Sequence, residues 1–433
     1  MRFAFFIFSL FFSTLVFAKT AYIKIQTWKT KEGTPVYFVE TNTVPIIDVS
    51  TVFHAGSAFD AQNYGLAALT NLFIGEQSKN LTSTQIAEKI SSAGMLFDAN
   101  VDRDKALVHF RSLSEKKYFD ASMAVYTEIL SNLSISPETF ERVKSQAINN
   151  IKSEQEDPTN LATDAFFSTL YGDAPYGHPS SGTINSVNAL TLGQVNQFYL
   201  DYYCAKNAII VIVGNTNSLG AKLIAEQIST SLPLGKLMSQ PPEKENITSN
   251  KNIFIDHAGS ENTIIIGQLG VARKNKQLIP LKVGNTILGD MSMSSLLMQT
   301  LRNKNGLVYS VTSNLYALKS RGPFFIMLQT KSAQTKEALD LAKNELLQFA
   351  ENGPTEEQLD TSKKYLVGSF PFSYATNSNI LANVITIAFF DLPLNYMDTY
   401  QNKIKSVTLA QIHQNFKKLI KPEKLITVTV GTK

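Results

Sequence analysis

The first pattern along the chain is a block of apolar residues from Phe3 to Phe17, preceded by Arg2 and closed by Val16-x-Ala18 before Lys19 and Thr20. A basic start, about fifteen apolar residues and a small-residue end have the pattern of a secretory leader, with cleavage expected after Ala18. The run is short for a bilayer span, which needs roughly 20 apolar residues. No cysteine follows the expected cut, so lipid attachment is not expected there. No later stretch is long and apolar enough to span, so no membrane segment is expected once the leader is removed.

Farther on, β-branched and aromatic clusters at 36–39 and 49–53 predict strands, as do 253–256, 263–269 and 324–330. Apolar residues at helical spacing predict helices over 82–93, 119–130, 281–288, 293–302 and 336–351. Ser136-Pro137-Glu138 has the form of a helix start with proline in the first turn. The pattern also repeats. Leu190-Thr191-Leu192-Gly193-Gln194-Val195 leads to an apolar strand ending at Gly214, and Val407-Thr408-Leu409-Ala410-Gln411-Ile412 leads to one ending at Gly431, 217 residues later. Pro137 precedes Pro354 by 217 residues, and Asp173-Ala174-Pro175 precedes Asp391-Leu392-Pro393 by 218. Landmarks in one frame imply duplication. Residues 232–252, with two adjacent prolines, several lysines and few apolar residues, read as a solvated linker. The expected fold is α+β: two similar domains, 19–231 and 253–433, with mostly antiparallel sheets joined by that linker.

Composition narrows this only slightly. A chain of 433 residues is too long for one ordinary core. With 44% apolar and 18% charged residues, wholesale disorder is excluded. A net charge of +4 without a basic cluster argues against nucleic acid as a partner. Cys204 is the only cysteine, which excludes an intrachain disulfide and a thiol-only zinc site.

Several motifs carry a resemblance. His54-Ala55-Gly56-Ser57-Ala58-Phe59-Asp60, then Tyr64-Gly65-Leu66-Ala67-Ala68-Leu69-Thr70, resembles the opening of M16 (pitrilysin/insulinase-like) zinc peptidases. Ser92-Ala93-Gly94, Gln155-Glu156-Asp157-Pro158 and Tyr171-Gly172-Asp173-Ala174-Pro175-Tyr176-Gly177 continue it. In the second half, Leu301-Arg302-Asn303-Lys304-Asn305-Gly306-Leu307-Val308-Tyr309-Ser310-Val311 is similar to the family's Leu-Arg-Glu-Lys-x-Gly-Leu-x-Tyr-Ser-Val segment. The likeness runs, in the family's order, through nearly the whole chain after the leader.

The resemblance implies an inverted zinc motif, His-x-x-Glu-His, on a helix after Gly-Leu-Ala. Its imidazoles hold zinc, and its Glu activates the zinc-bound water. A second Glu, from the helix before Asp-Pro, closes the metal shell. Laid on this chain, the motif positions are Ala68, Asn71 and Leu72, and the downstream position is Asn149 or Asn150. Ala and Leu have no lone pair for a metal, and Asn is a poor base. His54, His109, His178, His257 and His413 are scattered, with no two at a helical ligand spacing. Glu154 and Glu156 flank the downstream position, but without imidazole partners they read as a solvated acidic helix end. No metal site is expected in this chain.

Arg302 and Tyr309 stand seven residues apart around Asn305-Gly306, as in the family's Arg/Tyr pair. The resemblance implies that they hold the oxyanion of a peptide under attack at a zinc bound by the opposite half or by a partner. A plainer reading puts Arg302 in a surface ion pair and Tyr309 in the core. Between Gly289 and Ser295, Asp290 and Met291 replace the family's small residues. That loop serves either close approach to a peptide or, through Ser292 or Ser294, a helix cap. The implied function is a non-catalytic subunit, periplasmic or secreted, that acts on peptides beside an exported relative with the intact motif and its zinc. The alternative is a partner-independent peptide-binding or structural homologue, like respiratory-complex core subunits.

Overall fold

The computed structural model describes residues 23–131, 133–239, 241 and 250–433, so the expected leader lies outside the described residues. The first half runs β1 (Gln26–Lys29), β2 (Pro35–Glu40), β3 (Ile46–Phe53), α1 (Leu66–Leu72), α2 (Ser83–Ser92), β4 (Leu96–Val101), β5 (Ala106–Leu113) and α3 (Lys116–Ser131). It continues through α4 (Pro137–Glu154), α5 (Pro158–Tyr171), α6 (Ile184–Ala189), α7 (Leu192–Tyr202), β6 (Ala208–Gly214) and α8 (Ser218–Ser231). The second half has β7 (Lys251–Asp256), β8 (Glu261–Leu269), α9 (Leu278–Asn285), β9 (Val308–Leu315), β10 (Pro323–Lys331) and α10 (Thr335–Asn352). It closes with α11 (Glu356–Ser369), α12 (Asn377–Phe389), α13 (Tyr396–Lys405), α14 (Leu409–Leu419) and β11 (Ile426–Gly431).

The two sheets have equivalent orders, β1-β2-β6-β3-β5-β4 and β7-β11-β8-β10-β9, with β1 additional in the first. In each, one pair is parallel (β2 with β6, β7 with β11) and the remaining pairs are antiparallel. The repeated Thr-Leu-x-Gln is a pair of capping boxes: Thr191 accepts from the Gln194 N–H and Thr408 from the Gln411 N–H, and both Gln side chains reach back. Pro137 enters α4 behind its cap Ser136, whereas Pro354 stands just before the cap Thr355 of α11.

Some boundaries moved. The helix expected over 281–288 ends at Asn285 and becomes a π-type turn, Thr286–Asp290. The helix expected from 293 is preceded by a 3-10 turn, Ser292–Ser294, with Ser292 at φ +42. Its cap is neither Ser292 nor Ser294: the Ser295 hydroxyl accepts the Met298 N–H at 3.4 Å. Lys251 and Asn252, expected in the linker, already pair in β7. Residues 233 and 234 lie along the first half, their carbonyls accepting from the Ala205 and Lys206 N–H groups.

Both faces of each sheet are apolar. Every residue of β6 and β11 is buried, the composition of strands covered on both sides. Each half covers one face with its own helices and receives a helix from the other half for the opposite face. Helix α5 lays Ala162, Phe166, Phe167 and Leu170 on Ile265, Val428 and Val430 of the second sheet. In return α12 lays Ile380, Leu381, Val384, Ile385 and Phe389 on Val39, Val52, Ile209 and Val211 of the first. Gly267 in β8 makes room for α5, since a Cβ there would stand 2.7 Å from the Phe166 ring.

Polar contacts pin this exchange. Arg111 holds buried Asp48 at 2.8 and 3.2 Å and donates to the Ser378 hydroxyl at the start of α12, at 2.5 Å. Asp104 accepts the Lys319 N–H at 2.9 Å and the Tyr176 hydroxyl, and the Tyr171 hydroxyl donates to the Arg321 carbonyl at 2.9 Å. His54 stacks on Phe389 of α12, ring centres 4.7 Å apart. Burial, helped by Lys319 and opposed by Asp391, lowers its pKa to about 4.

Two outcomes follow from this seam. Phe166→Ala is expected to cost about 3–5 kcal/mol and to leave one cooperative urea transition; separate transitions for the two halves would refute the exchange as the link between them. His54 is neutral in the fold and would bind a proton more readily when unfolded, so its contribution is complete above its unfolded pKa of about 6.5 and is lost as pH falls towards about 4. Thermal melts should show His54→Phe losing less stability than the natural chain over that window, by up to about 3 kcal/mol.

Candidate active site

The site begins with Asp60, buried at the end of a 3-10 turn, Ser57–Phe59. Its two carboxylate oxygens accept the Gly65 and Ala67 N–H groups, each at 2.7 Å, and so fix the start of α1. Burial pushes the Asp60 carboxyl up to about 8, and the two N–H donors offset only part of that rise. Gly65 has φ +92, and a Cβ on it would lie 2.7 Å from the Ser181 carbonyl oxygen. Glycine therefore lets the segment before α6 close over the start of α1.

Helix α1 turns Ala67, Leu69 and Thr70 into the core. Ala68, Asn71 and Leu72 instead line a cavity of about 230 Å³, together with Asn100 of β4, Asn150 and Glu154 of α4, and Val187 of α6. Asn150 lines this cavity; Asn149, the other sequence candidate, does not. Glu156 lies outside it, its carbonyl oxygen 3.2 Å from Nε2 of His257. The Asn71 amide is not free for a base's role either: it donates to the buried Tyr203 hydroxyl at 3.2 Å.

These residues do not fit zinc. Among the cavity's lining residues Glu154 is the single ionisable side chain, and among the described residues no cluster of three or more His, Cys, Asp or Glu could hold a metal. Tetrahedral zinc needs thiolate, imidazole or carboxylate donors converging on one point. His178 is not available to the cavity, being stacked on Tyr64 at 4.3 Å with its Nδ1 bonded to the Pro179 carbonyl.

The second group lies in the other half. Gly306, at φ +64, turns the chain between the helical segment Met298–Lys304 and β9, with its N–H bonded to the Arg302 carbonyl. The turn sets the Arg302 guanidinium 5.5 Å from the centre of the Tyr309 ring. Tyr309 is 71% exposed, so it is not a core tyrosine. Arg302 makes a 3.7 Å contact with the Met293 sulfur rather than a surface ion pair among the described residues. Gly289 packs against β9, where a Cβ would meet the Ser313 nitrogen at 2.4 Å, so that glycine serves packing within the half.

Sequence reasoning passed over two positioning residues. Asp60 closes the segment His54–Asp60, and an acid six residues before a helix start has the spacing of its anchor. Tyr203 stands 132 residues from Asn71, and no local signal joins them. Ala68→His, Leu72→His and Asn150→Glu would return three donors to the cavity. The triple variant is expected to retain about one zinc per chain after dialysis, by mass spectrometry, where the natural chain retains none. A folded triple variant that holds no zinc would show that the cavity has lost the metal geometry.

Comparison with known proteins agrees with both halves. The family model described as "Insulinase (Peptidase family M16)" matches residues 36–184, and "Peptidase M16 inactive domain" matches 189–366. A non-peptidase homolog from Helicobacter pylori is 23% identical over 386 residues, 88% of each chain. An uncharacterized zinc protease from Rickettsia bellii is 26% identical over 334 residues, covering 76% of this chain and 79% of its own. The crystal structure of a peptidase M16 inactive domain from Pseudomonas fluorescens superposes with a TM-score of 0.91 at 29% identity, covering 95% of this chain and 98% of that one. With matched domains in order and the duplicated fold, the chain belongs to peptidase family M16 as a member of its inactive type.

Proposed function

We propose that this chain is the non-catalytic subunit of an exported zinc peptidase, paired with an M16 relative that carries the intact His-x-x-Glu-His motif. The observation that carries this reading is the division of chemistry within the chain. The cavity around Ala68 and Asn150 has no metal donors beyond Glu154, while Arg302 and Tyr309 stand side by side with the phenol in solvent. Water attacking a peptide carbonyl leaves negative charge on oxygen. A guanidinium and a phenol O–H, presented together, can hold that charge by charge-assisted hydrogen bonds. Such a pair has no use without a nucleophile, and the nucleophile would come from the partner's zinc. The leader-like start supports a location in the periplasm or outside the cell.

A second reading, a peptide-binding homologue with no catalytic partner, has one observation in its favour. Strand β4 is the outer strand of its sheet and borders the cavity, with Leu96 63% exposed, so an extended peptide could pair along it.

Co-expression with the motif-bearing relative separates the two. The mixed pair should co-elute and hydrolyse peptides in a chelator-sensitive way, and Arg302→Ala should lower its turnover by about 10²-fold with zinc content unchanged. Tyr309→Phe should lower it as well. Chelator-sensitive hydrolysis by the isolated chain would overturn the subunit reading, whereas full activity in both variants would overturn the assigned roles alone.

A further inference from the structure

The second half holds a cavity of about 210 Å³, and it is the repeat image of the one around Ala68. Gly65, Ala68 and Asn71 line the first from α1, and Ile279, Lys282 and Asn285 line the second from α9, each 214 residues later. Ala99, Asn100 and Val101 of β4 correspond at the same interval to Ser313, Asn314 and Leu315 of β9. The strand ladders agree independently, since Val101 pairs with the first residue of β5 and Leu315 with Phe324 near the start of β10. Duplication thus left two equivalent cavities. Lys282 occupies the place of the first zinc-motif position, and Asn285 the place of Asn71.

Their charges differ. The first cavity has Glu154 as its ionisable lining; the second has Arg273, Lys282 and Asp290, a surplus of one positive charge. Arg273 is held over the Phe390 ring at 5.6 Å, and its Nε is buried without a hydrogen-bond partner. Arg273 as a whole is half-buried, and its unpaired Nε leaves the guanidinium with hydrogen-bonding capacity that the chain itself does not use. The nearby acid Asp391 is engaged by Lys274 at 3.1 Å and Lys319 at 3.6 Å. Lys282 is exposed and lies over the Tyr400 ring at 5.1 Å.

We propose that this second cavity binds a carboxylate, delivered by an acidic side chain or by the free C-terminus of a peptide. The cavity's volume is below the roughly 300–1,000 Å³ of sites for drug-sized ligands, so it suits one side chain or chain end. A single surplus charge matches a monoanion, and Arg with Lys supplies the charge-assisted donors. Neither Arg302 nor Tyr309 lines this cavity, and its charged lining comes from this chain alone.

Ligand-observed NMR on the intact chain tests it with N-acetylaspartate methylamide for the side chain and N-acetylalanine for the chain end. At least one should bind, the tighter naming the source, and the neutral N-acetylasparagine methylamide should not. Lys282→Glu should weaken binding by about tenfold or more, as should Arg273→Gln, while the distant surface variant Lys336→Gln should leave it unchanged. Lys282 is exposed, so its variant remains informative if Arg273→Gln unfolds. The proposal fails if neither carboxylate binds, if the asparagine probe binds equally, if binding survives Lys282→Glu, or if inorganic phosphate binds more tightly than both.

Discussion

Two apolar sheets, each short of one cover, set the terms for this molecule. Strands such as Ala208–Gly214 and Ile426–Gly431 are buried throughout, and leaving either face in water would forfeit roughly 25 cal/mol for each Å² of apolar surface. Neither half's own helices cover both faces of its sheet. The exchange of α5 and α12 resolves this, and the seam it creates gathers Asp48, Arg111, Asp104, Tyr176 and His54 into fixed positions. The buried Arg111–Asp48 pair fixes where α12 lies rather than adding much stability, as is usual for ion pairs out of water.

The same scaffold explains why the fold does not depend on metal donors at this cavity. Ala68, Leu72 and Asn150 face a cavity rather than the core, so they can vary without disturbing packing. Asn71 is different, because it is buried. A carboxylate there with no cation beside it would be an uncompensated buried charge. A neutral amide donating to Tyr203 keeps the position satisfied. Asp60 and Gly65 retain their positioning work, since they hold α1 itself.

Much of the fold was legible because repeated local signals have local causes. Thr191 and Thr408 announced their helices through capping boxes, and the runs ending at Gly214 and Gly431 announced buried strands. The element that joins the halves was not legible. Helix α5 has apolar residues around much of its circumference, and nothing local says that its second face meets another half's sheet. At the site, the substitutions at 68, 71 and 72 were plain, and so was the spacing of Arg302 and Tyr309. Choosing Asn150 over Asn149 needed the rotation of α4, which a count back from Asp157-Pro158 cannot supply. The second cavity stayed hidden because its frame is 214 residues, whereas the landmarks flanking it repeat at 217.

The exchanged helices also say something about ancestry. If each half is deleted in thought from the other, what remains is a sheet with one bare face and a helix with nothing to cover. That is the situation of a protomer in a domain-swapped dimer, where identical copies trade an element. The single chain has the architecture of such a swapped pair with its two copies joined covalently. Once joined, the copies no longer had to be identical: the first carries Ala68, Asn71 and Leu72 at its cavity, and the second carries Lys282 at the matching one.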